Sequence, residues 1–391
     1  MEHAPRISPS VRGARVSPGD ITEHIAIVNA LFTAGFVVRV TTARRRLRNS
    51  NSFPNFLPGT RRRLPQNVCH DPTLSQRTGG SMITNIDVTL RDGGYRNGFN
   101  FTLDYALEHA RRSVDAGFDW VEIAYLKGSF DPSKSTGLTG RGDPDYVRAL
   151  AQHIGPDHTG LIGHPKNMSY ADVAASYDAG ARLMRLCLTQ SPAESDFAML
   201  TAAKDMGFTV CANLTRVSRL APREIADLSL RASEAGADVV YLADSNGSLR
   251  PSDVGSLINL VEIVTPAAAG LHAHNNLGLA LANALAAVGS GATWIDSSVL
   301  GMGKGAGNLI AEQWIAYLDR DPTIDSRAVD LGTVLELSDF LAASVAESRP
   351  AIPMTDLLMG HFDLSIDQRE HFRGSHRDSV LAARDLHGIA S

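Results

Sequence analysis

Three short stretches carry residues able to do chemistry. The first is Arg91-Asp92, which follows Ile86-Asp87-Val88-Thr89-Leu90 and precedes Gly93-Gly94. A guanidinium beside a carboxylate suits an anionic substrate bound next to a hard cation: the first takes a carboxylate or enolate and the second holds the metal. The bland alternative is a structural ion pair. The second stretch is Leu271-His272-Ala273-His274-Asn275-Asn276. Residues i and i+2 of a strand share a face, so the two imidazoles point the same way and form a ready pair of metal ligands. The third is Gly301-Met302-Gly303-Lys304-Gly305-Ala306-Gly307-Asn308. Glycines this dense suit close backbone approach to an anionic group such as a phosphate, against the alternative of a flexible closing loop. Asn308 could add an oxygen to a metal shell.

These residues need a scaffold that brings distant parts of the chain together. From residue 86 the sequence alternates apolar, β-rich runs with amphipathic helical stretches. Strands are expected at 86–91, 119–126, 159–163, 182–188, 208–213, 238–243, 270–274 and 293–299. Leu103, Ala106, Leu107, Ala110 and Val114 share one helical face. Ser191-Pro192-Ala193-Glu194 reads as a capping box with proline at the first helical position. Glycines 117, 180, 207, 236 and 291 each end a helix before a strand, as left-handed C-caps do. Their spacings of 27 and 29 residues, with 63 and 55 as doubled intervals, give one βα unit per roughly 30 residues. Eight units point to an α/β protein of the (β/α)8 TIM-barrel class, with a doubly wound sheet as the runner-up. The C-terminal strand ends are then the active face. There Arg91 and Asp92 can serve one site only if the chain leaves regular strand geometry, which Gly93 and Gly94 are expected to permit.

Other polar residues fall at predicted strands. Glu122 is counted among the candidate substrate-binding residues, and in its strand it either orients Arg91 or is a satisfied buried acid. Asn213 is a candidate to face the substrate and Arg185 to bind its carboxylate. Asp244 is expected to orient a ligand, and Asp296 to be structural.

The 391 residues are 43% hydrophobic and 20% charged, ordinary for a globular protein with a full core. Residues 1–81 hold twelve arginines, no lysine and four acids, a formal +8, which leaves −13 of the net −5 on the rest. An acidic body argues against a nucleic-acid partner. The leader is read as a non-catalytic, disordered extension, with an organelle-targeting segment as the alternative. Domains are placed at 1–81 (leader), 82–319 (barrel) and 320–391 (a short C-terminal helical extension). In the extension Leu331, Val334, Leu335, Leu337 and Leu341 suggest one amphipathic helix, and Pro350 and Pro353 interrupt the pattern. Cys69, Cys187 and Cys211 are too few and too scattered for a disulfide framework, which points to a reducing compartment, read as the cytoplasm. The longest apolar run, Ile25 to Val38, is shorter than the roughly 20 residues that cross a bilayer, so no membrane role is expected.

Taken in order, Thr-Leu-Arg-Asp-Gly, His-Ala-His-Asn and Gly-x-Gly-x-Gly-Ala-Gly-Asn resemble the pyruvate-carboxyltransferase-like superfamily of metal-dependent TIM-barrel lyases and synthases over about residues 84–316. That superfamily includes 4-hydroxy-2-oxovalerate aldolase, 3-hydroxy-3-methylglutaryl-CoA lyase and isopropylmalate synthase. The resemblance implies Asp92, His272 and His274 as divalent-metal ligands, with Asn308 as a further one. It also implies Arg91 as the arginine that steadies the enolate of a 2-oxo acid. The ligand set suits Mn²⁺ first, then Mg²⁺, and does not exclude Zn²⁺ or Co²⁺. The chain departs from the superfamily's pattern in three places, one of them Gly94-Tyr95, which stands where the synthases usually carry Glu-Gln. The closing loop lacks the lyases' catalytic cysteine. The histidine that follows the metal aspartate by three positions in the hydroxyoxovalerate aldolases is here Tyr95, the candidate replacement for proton transfer.

The leading reading is a divalent-metal-dependent aldolase acting on a 4-hydroxy-2-oxo acid through a pyruvate enolate. A homo-oligomer with an aldehyde dehydrogenase partner is expected. An acyl-CoA-dependent Claisen-type synthase competes, weakened because roughly 70 residues after the barrel are few for a regulatory region. A metal-binding scaffold without catalysis is the third reading, and it would be marked by loss of Arg91 or a ligand.

Overall fold

The computed structural model describes residues 82–321, 323–325, 329–348 and 351–388. The leader lies outside the described residues, as does Pro350. Eight parallel strands close into a barrel in sequence order: β1 Thr84–Asp87, β2 Trp120–Leu126, β3 Thr159–Gly163, β4 Leu183–Leu188, β5 Thr209–Leu214, β6 Val239–Asp244, β7 Ala268–Ala273 and β8 Trp294–Ser297. Pairing from Thr84 with Trp294 to Asp87 with Ser297 returns β8 to β1, so no edge strand is left. A helix follows each strand: α1 Leu103–Asp115, α2 Pro144–Ile154, α3 Tyr170–Asp178, α4 Glu194–Asp205, α5 Pro222–Glu234, α6 Pro251–Val264, α7 Ala280–Gly289 and α8 Ala311–Arg320. The five junction glycines sit at φ between 97° and 113°. Gly155, at φ 90°, is the junction hidden in the 63-residue interval, whereas α6 ends on Thr265 with φ −144° and no glycine.

Strand boundaries lie within two residues of expectation except at the end of β1. The strand stops at Asp87 because Asp87 Oδ1 accepts the Thr89 backbone N–H at 2.8 Å, a side chain standing in for the next backbone partner. From Val88 the chain enters a helical turn, Thr89–Asp92. Successive side chains on a helical turn are separated by about 100° rather than 180°, and this brings Arg91 and Asp92 to one site. Gly93 does not supply unusual backbone freedom, since it sits at φ −59°. It supplies space: a Cβ there would lie 2.2 Å from Thr89 O, and one on Gly94 would lie 2.2 Å from Phe99 Cδ1.

The same aspartate rotates α1 away from its expected face. Asp87 Oδ2 accepts from Ser113 Oγ at 2.6 Å and lies 2.8 Å from His109 Nε2, so these polar residues turn inward beside Ala106 and Ala110. Leu103 is 40% exposed. Helix α4 begins at Glu194, and the Ala193 N–H donates to Asp196 Oδ2 at 3.1 Å; Pro192 stands before the cap, not inside the helix.

The C-terminal region contains α9 Leu331–Ser344, α10 Met354–His361 and α11 His376–His387. Helix α9 packs on α1 and α8 and buries Val334, Leu337 and Leu341, while Leu335 stays outside. Met359, Phe362, Leu364 and Ala383 form a small separate core. Asp363 pins this region to the barrel: its Oδ1 accepts from Ser218 Oγ (2.7 Å), Asn246 Nδ2 (2.8 Å) and Ser248 Oγ (2.8 Å), and Arg219 Nε lies 2.8 Å from its Oδ2. Asp363→Ala strands these donors and is expected to cost about 1–3 kcal/mol, with faster proteolysis of the C-terminal region. An unchanged melting midpoint and digestion rate would show that Asp363 is not an anchor. Among the described residues no helix is long and apolar enough to cross a membrane.

Candidate active site

The strand ends and the loops after them enclose a cavity of about 630 Å³. Asp92 reaches it from the helical turn after β1, and His272 and His274 from the end of β7 and the residue just past it, all three buried, with one ligand atom from each within 4.8 Å of the others. The second ring nitrogen of each histidine is already committed. His272 Nδ1 lies 2.9 Å from Asp296 Oδ2, and His274 Nδ1 lies 3.2 Å from the Gly307 carbonyl. Such partners fix the tautomer and leave the Nε2 lone pairs for a metal. Burial pushes His274 down to about 4, so the ring is neutral at pH 7 as ligation requires. Burial opposes ionisation of Asp92, but Arg91, the two histidines and the Lys304 N–H hold it well below the usual carboxylate range. Asn308 Nδ2 donates to Asp92 Oδ2 at 3.0 Å, and its buried Oδ1 has no hydrogen-bond partner. Carboxylate, two imidazoles and an unpartnered amide oxygen fit a divalent cation.

The glycine-rich loop serves these groups. The anion its backbone approaches is Asp92 itself: the Lys304 N–H donates to Oδ2 at 3.1 Å, and a Cβ on Gly303 would lie 2.8 Å from that oxygen and 2.4 Å from Asn308 Nδ2. No open phosphate cradle is needed to explain the glycines.

Arg91 is held from two sides. Nε donates to Glu122 Oε2 at 2.5 Å and Nη1 to Asp92 Oδ1 at 2.6 Å, while Nη2 has no protein partner among the described residues. Glu122 therefore orients Arg91, the first of its two expected roles. Beneath them Glu122 of β2, Arg185 of β4, Tyr241 of β6 and Asp296 of β8 meet inside the barrel, one side chain from each even strand. Arg185 donates to both oxygens of Asp296, at 2.5 and 2.9 Å, lies 3.0 Å from Glu122 Oε1 and stacks on the Tyr241 ring at 3.9 Å. This corrects the expectation that Arg185 and Glu122 bind substrate. Both are fully buried and absent from the cavity wall, and the carboxylates that Arg185 binds are the protein's own. Asp296 is more than structural, because it joins this layer to His272.

Asn213 does line the cavity, with its Oδ1 unpartnered. Asp244 bonds the backbone of its own loop, accepting from the Ser248 and Leu249 N–H groups at 3.0 and 3.1 Å. Tyr95 lines the cavity, its hydroxyl 3.4 Å from that of Tyr125, which in turn lies 3.4 Å from Arg91 Nη1. Burial raises Tyr95, so at neutral pH it can donate a proton but not accept one.

Of the cavity residues that escaped the sequence reading, two matter most for proton transfer. One is Tyr125. The other, His164, directly follows β3 and stacks on Tyr125 with centroids 6.1 Å apart, and its ring makes no hydrogen bond among the described residues. Burial, with help from Lys166 and Arg91, pushes it down to about 4, so it is neutral at pH 7. The criterion that singled out His272, a histidine at a strand's C-terminal end, would have found it. Cys187 also lines the wall, but burial pushes its thiol up to about 12, and it is no nucleophile there.

A family model described as HMGL-like matches residues 82–341. A 4-hydroxy-2-oxovalerate aldolase of Rhodococcus opacus (strain B4) is 32% identical over 279 residues, covering 71% of this chain and 80% of that protein. A 4-hydroxy-2-oxovalerate aldolase of Brevibacillus brevis is 28% identical over 300 residues, covering 77% and 88%. Among solved structures, the HMG-CoA lyase of Bacillus subtilis shares the fold, with a TM-score of 0.59 at 18% identity over 70% of this chain and 96% of that one.

Proposed function

Because the chain belongs to the HMGL-like family and is a carbon–carbon lyase of the aldolase kind, we propose that it cleaves, or in reverse forms, a 4-hydroxy-2-oxo acid through a pyruvate enolate. The observation that carries this reading is a buried Arg91, anchored through Nε and Nη1 and with no Nη2 partner among the described residues, beside three convergent atoms able to hold a metal. A divalent ion, Mn²⁺ by preference, held by Asp92, His272 and His274 would act as a Lewis acid on the keto group.

The protein's own groups then divide the work. His164, neutral and facing the cavity, accepts the proton of the C4 hydroxyl. The C3–C4 bond breaks, its electron pair becomes the C2–C3 double bond of the enolate, and the aldehyde departs. Charge develops on the oxygen at C2, where Arg91 donates from a position fixed before the reaction starts. The imidazolium of His164 returns its proton to C3, giving pyruvate. Tyr95, held protonated, donates a hydrogen bond within the same cavity. Two titratable groups pushed in opposite directions by burial thus take opposite roles.

His164→Gln is expected to lower kcat/KM on the order of 100-fold, and added imidazole should restore part of the loss in His164→Ala. The base acts only when unprotonated, so its acid limb should fall near pH 4 rather than near the ordinary imidazole value. A variant with wild-type turnover would remove His164 from the mechanism. The reaction class is tested by retro-aldol assay on 4-hydroxy-2-oxo acids beside an acetyl-CoA assay for thiol release. Aldehyde without thiol supports the aldolase, and thiol release with a 2-oxo acid would make the chain a synthase. A homo-oligomer, a dehydrogenase that receives the aldehyde and a cytoplasmic setting belong to the same proposal.

A further inference from the structure

The cavity is too large and too cationic for pyruvate and a small neutral aldehyde alone. Its 630 Å³ falls in the range of sites for considerably larger ligands. Beyond Arg91 its wall carries Lys304, Arg216 and Arg219. Arg219 is neutralised by Asp363 at 2.8 Å. The other two are not fully paired. Lys304 has no acid within ion-pair distance among the described residues, and its ammonium sits 5.2 Å from the Tyr95 ring centroid. Arg216 reaches only a stretched contact, 3.4 Å to Asp367, whose side chain is 59% exposed and well screened by solvent. Arg216 is also held at φ 55°, a left-handed conformation that an arginine rarely adopts, with its N–H donating to Ser245 Oγ at 3.0 Å. A partly buried lysine whose facing acids, Asp367 and Asp92, stay beyond ion-pair distance is incompletely compensated, and an anion from outside the protein would complete the pairing.

We infer that Lys304 and Arg216 form a subsite for an anionic group at the far end of the aldehyde half of the substrate, so that the aldehyde released or captured carries a terminal carboxylate or phosphate. The inference rests on the aldolase reading above and names the substrate class for it. Ser365 and Gln368 of the C-terminal region complete the wall around the subsite, and Ser365 Oγ accepts from Arg216 at 3.3 Å. This gives the C-terminal region a share in selectivity.

The test uses the metal-loaded full chain and measures condensation of pyruvate with aldehydes matched in length: succinic semialdehyde against butanal, and glyceraldehyde 3-phosphate against glyceraldehyde. At least one charged member is expected to exceed its neutral partner by about 10- to 100-fold in kcat/KM, as charge-assisted contacts allow, and the preferred arm tells carboxylate from phosphate. The preference should shrink as salt rises and collapse toward unity in Lys304→Met and Arg216→Met. Equal use of neutral and charged aldehydes, or a preference that survives both substitutions, overturns the subsite. Pyruvate methyl exchange without charge preference refutes this inference and leaves the aldolase reading standing. No exchange and no condensation would take down both.

Discussion

His272→Ala and His274→Ala are each expected to lose tightly bound metal while the barrel stays folded. Each removes one of only three strong ligands, and losing even a group that merely orients a ligand typically costs 10- to 100-fold in affinity, so removing a ligand should cost on the order of 100-fold or more. The fold does not depend on either ring. They sit at the open end of β7, above the layer formed by Glu122, Arg185, Tyr241 and Asp296. Metal content after gel filtration gives the first readout. The second is the thermal midpoint: an ion present at about 100 times its dissociation constant stabilises the wild type by about 2.7 kcal/mol, a shift of several degrees that both variants should lack. Full metal occupancy in either variant would end the assignment.

Arg91→Lys is expected to keep the metal and lose roughly 100- to 1000-fold in turnover, the usual cost of removing one donor that meets charge developing in the transition state. The charge survives in this variant but the planar fork does not. Arg91 spends Nε on Glu122 and Nη1 on Asp92 and still has Nη2 to offer, whereas one ammonium cannot span the three positions. Because Glu122 is buried and also faces Arg185, part of its charge stays compensated, and the variant should fold. Near-normal turnover in a metal-loaded Arg91→Lys protein would mean that the enolate is stabilised elsewhere.

The barrel was legible because its strands are buried on both faces. Such strands read as continuous apolar runs, and glycine C-caps mark the repeat. The convergence of Asp92, His272 and His274 was legible for a similar reason, since His-x-His on a strand and a carboxylate at another strand end need only the fold to meet. Interactions between side chains and backbone were less visible. Asp87 ends β1 four residues early through the Thr89 N–H, and its pull on His109 and Ser113 turns α1; neither bond leaves a trace in hydrophobic periodicity. Glu122 and Arg185 sit on strands as the pattern said, but a strand's residues say nothing about which of them reach the cavity and which pair below it. The C-terminal contribution was hidden for the same reason. Asp363 and Gln368 look like surface polar residues until the chain folds back over the barrel mouth.

The central claim is that this site enolises a bound 2-oxo acid, and metal-dependent deuterium exchange at the methyl group of pyruvate tests it most directly, since no aldehyde need be known. Metal-loaded protein in D₂O should exchange the methyl protons, stop after chelation and resume when the ion is restored, with exchange falling on the order of 100-fold or more in Arg91→Lys. Folded, metal-loaded protein that binds pyruvate and leaves its methyl protons in place would contradict the account.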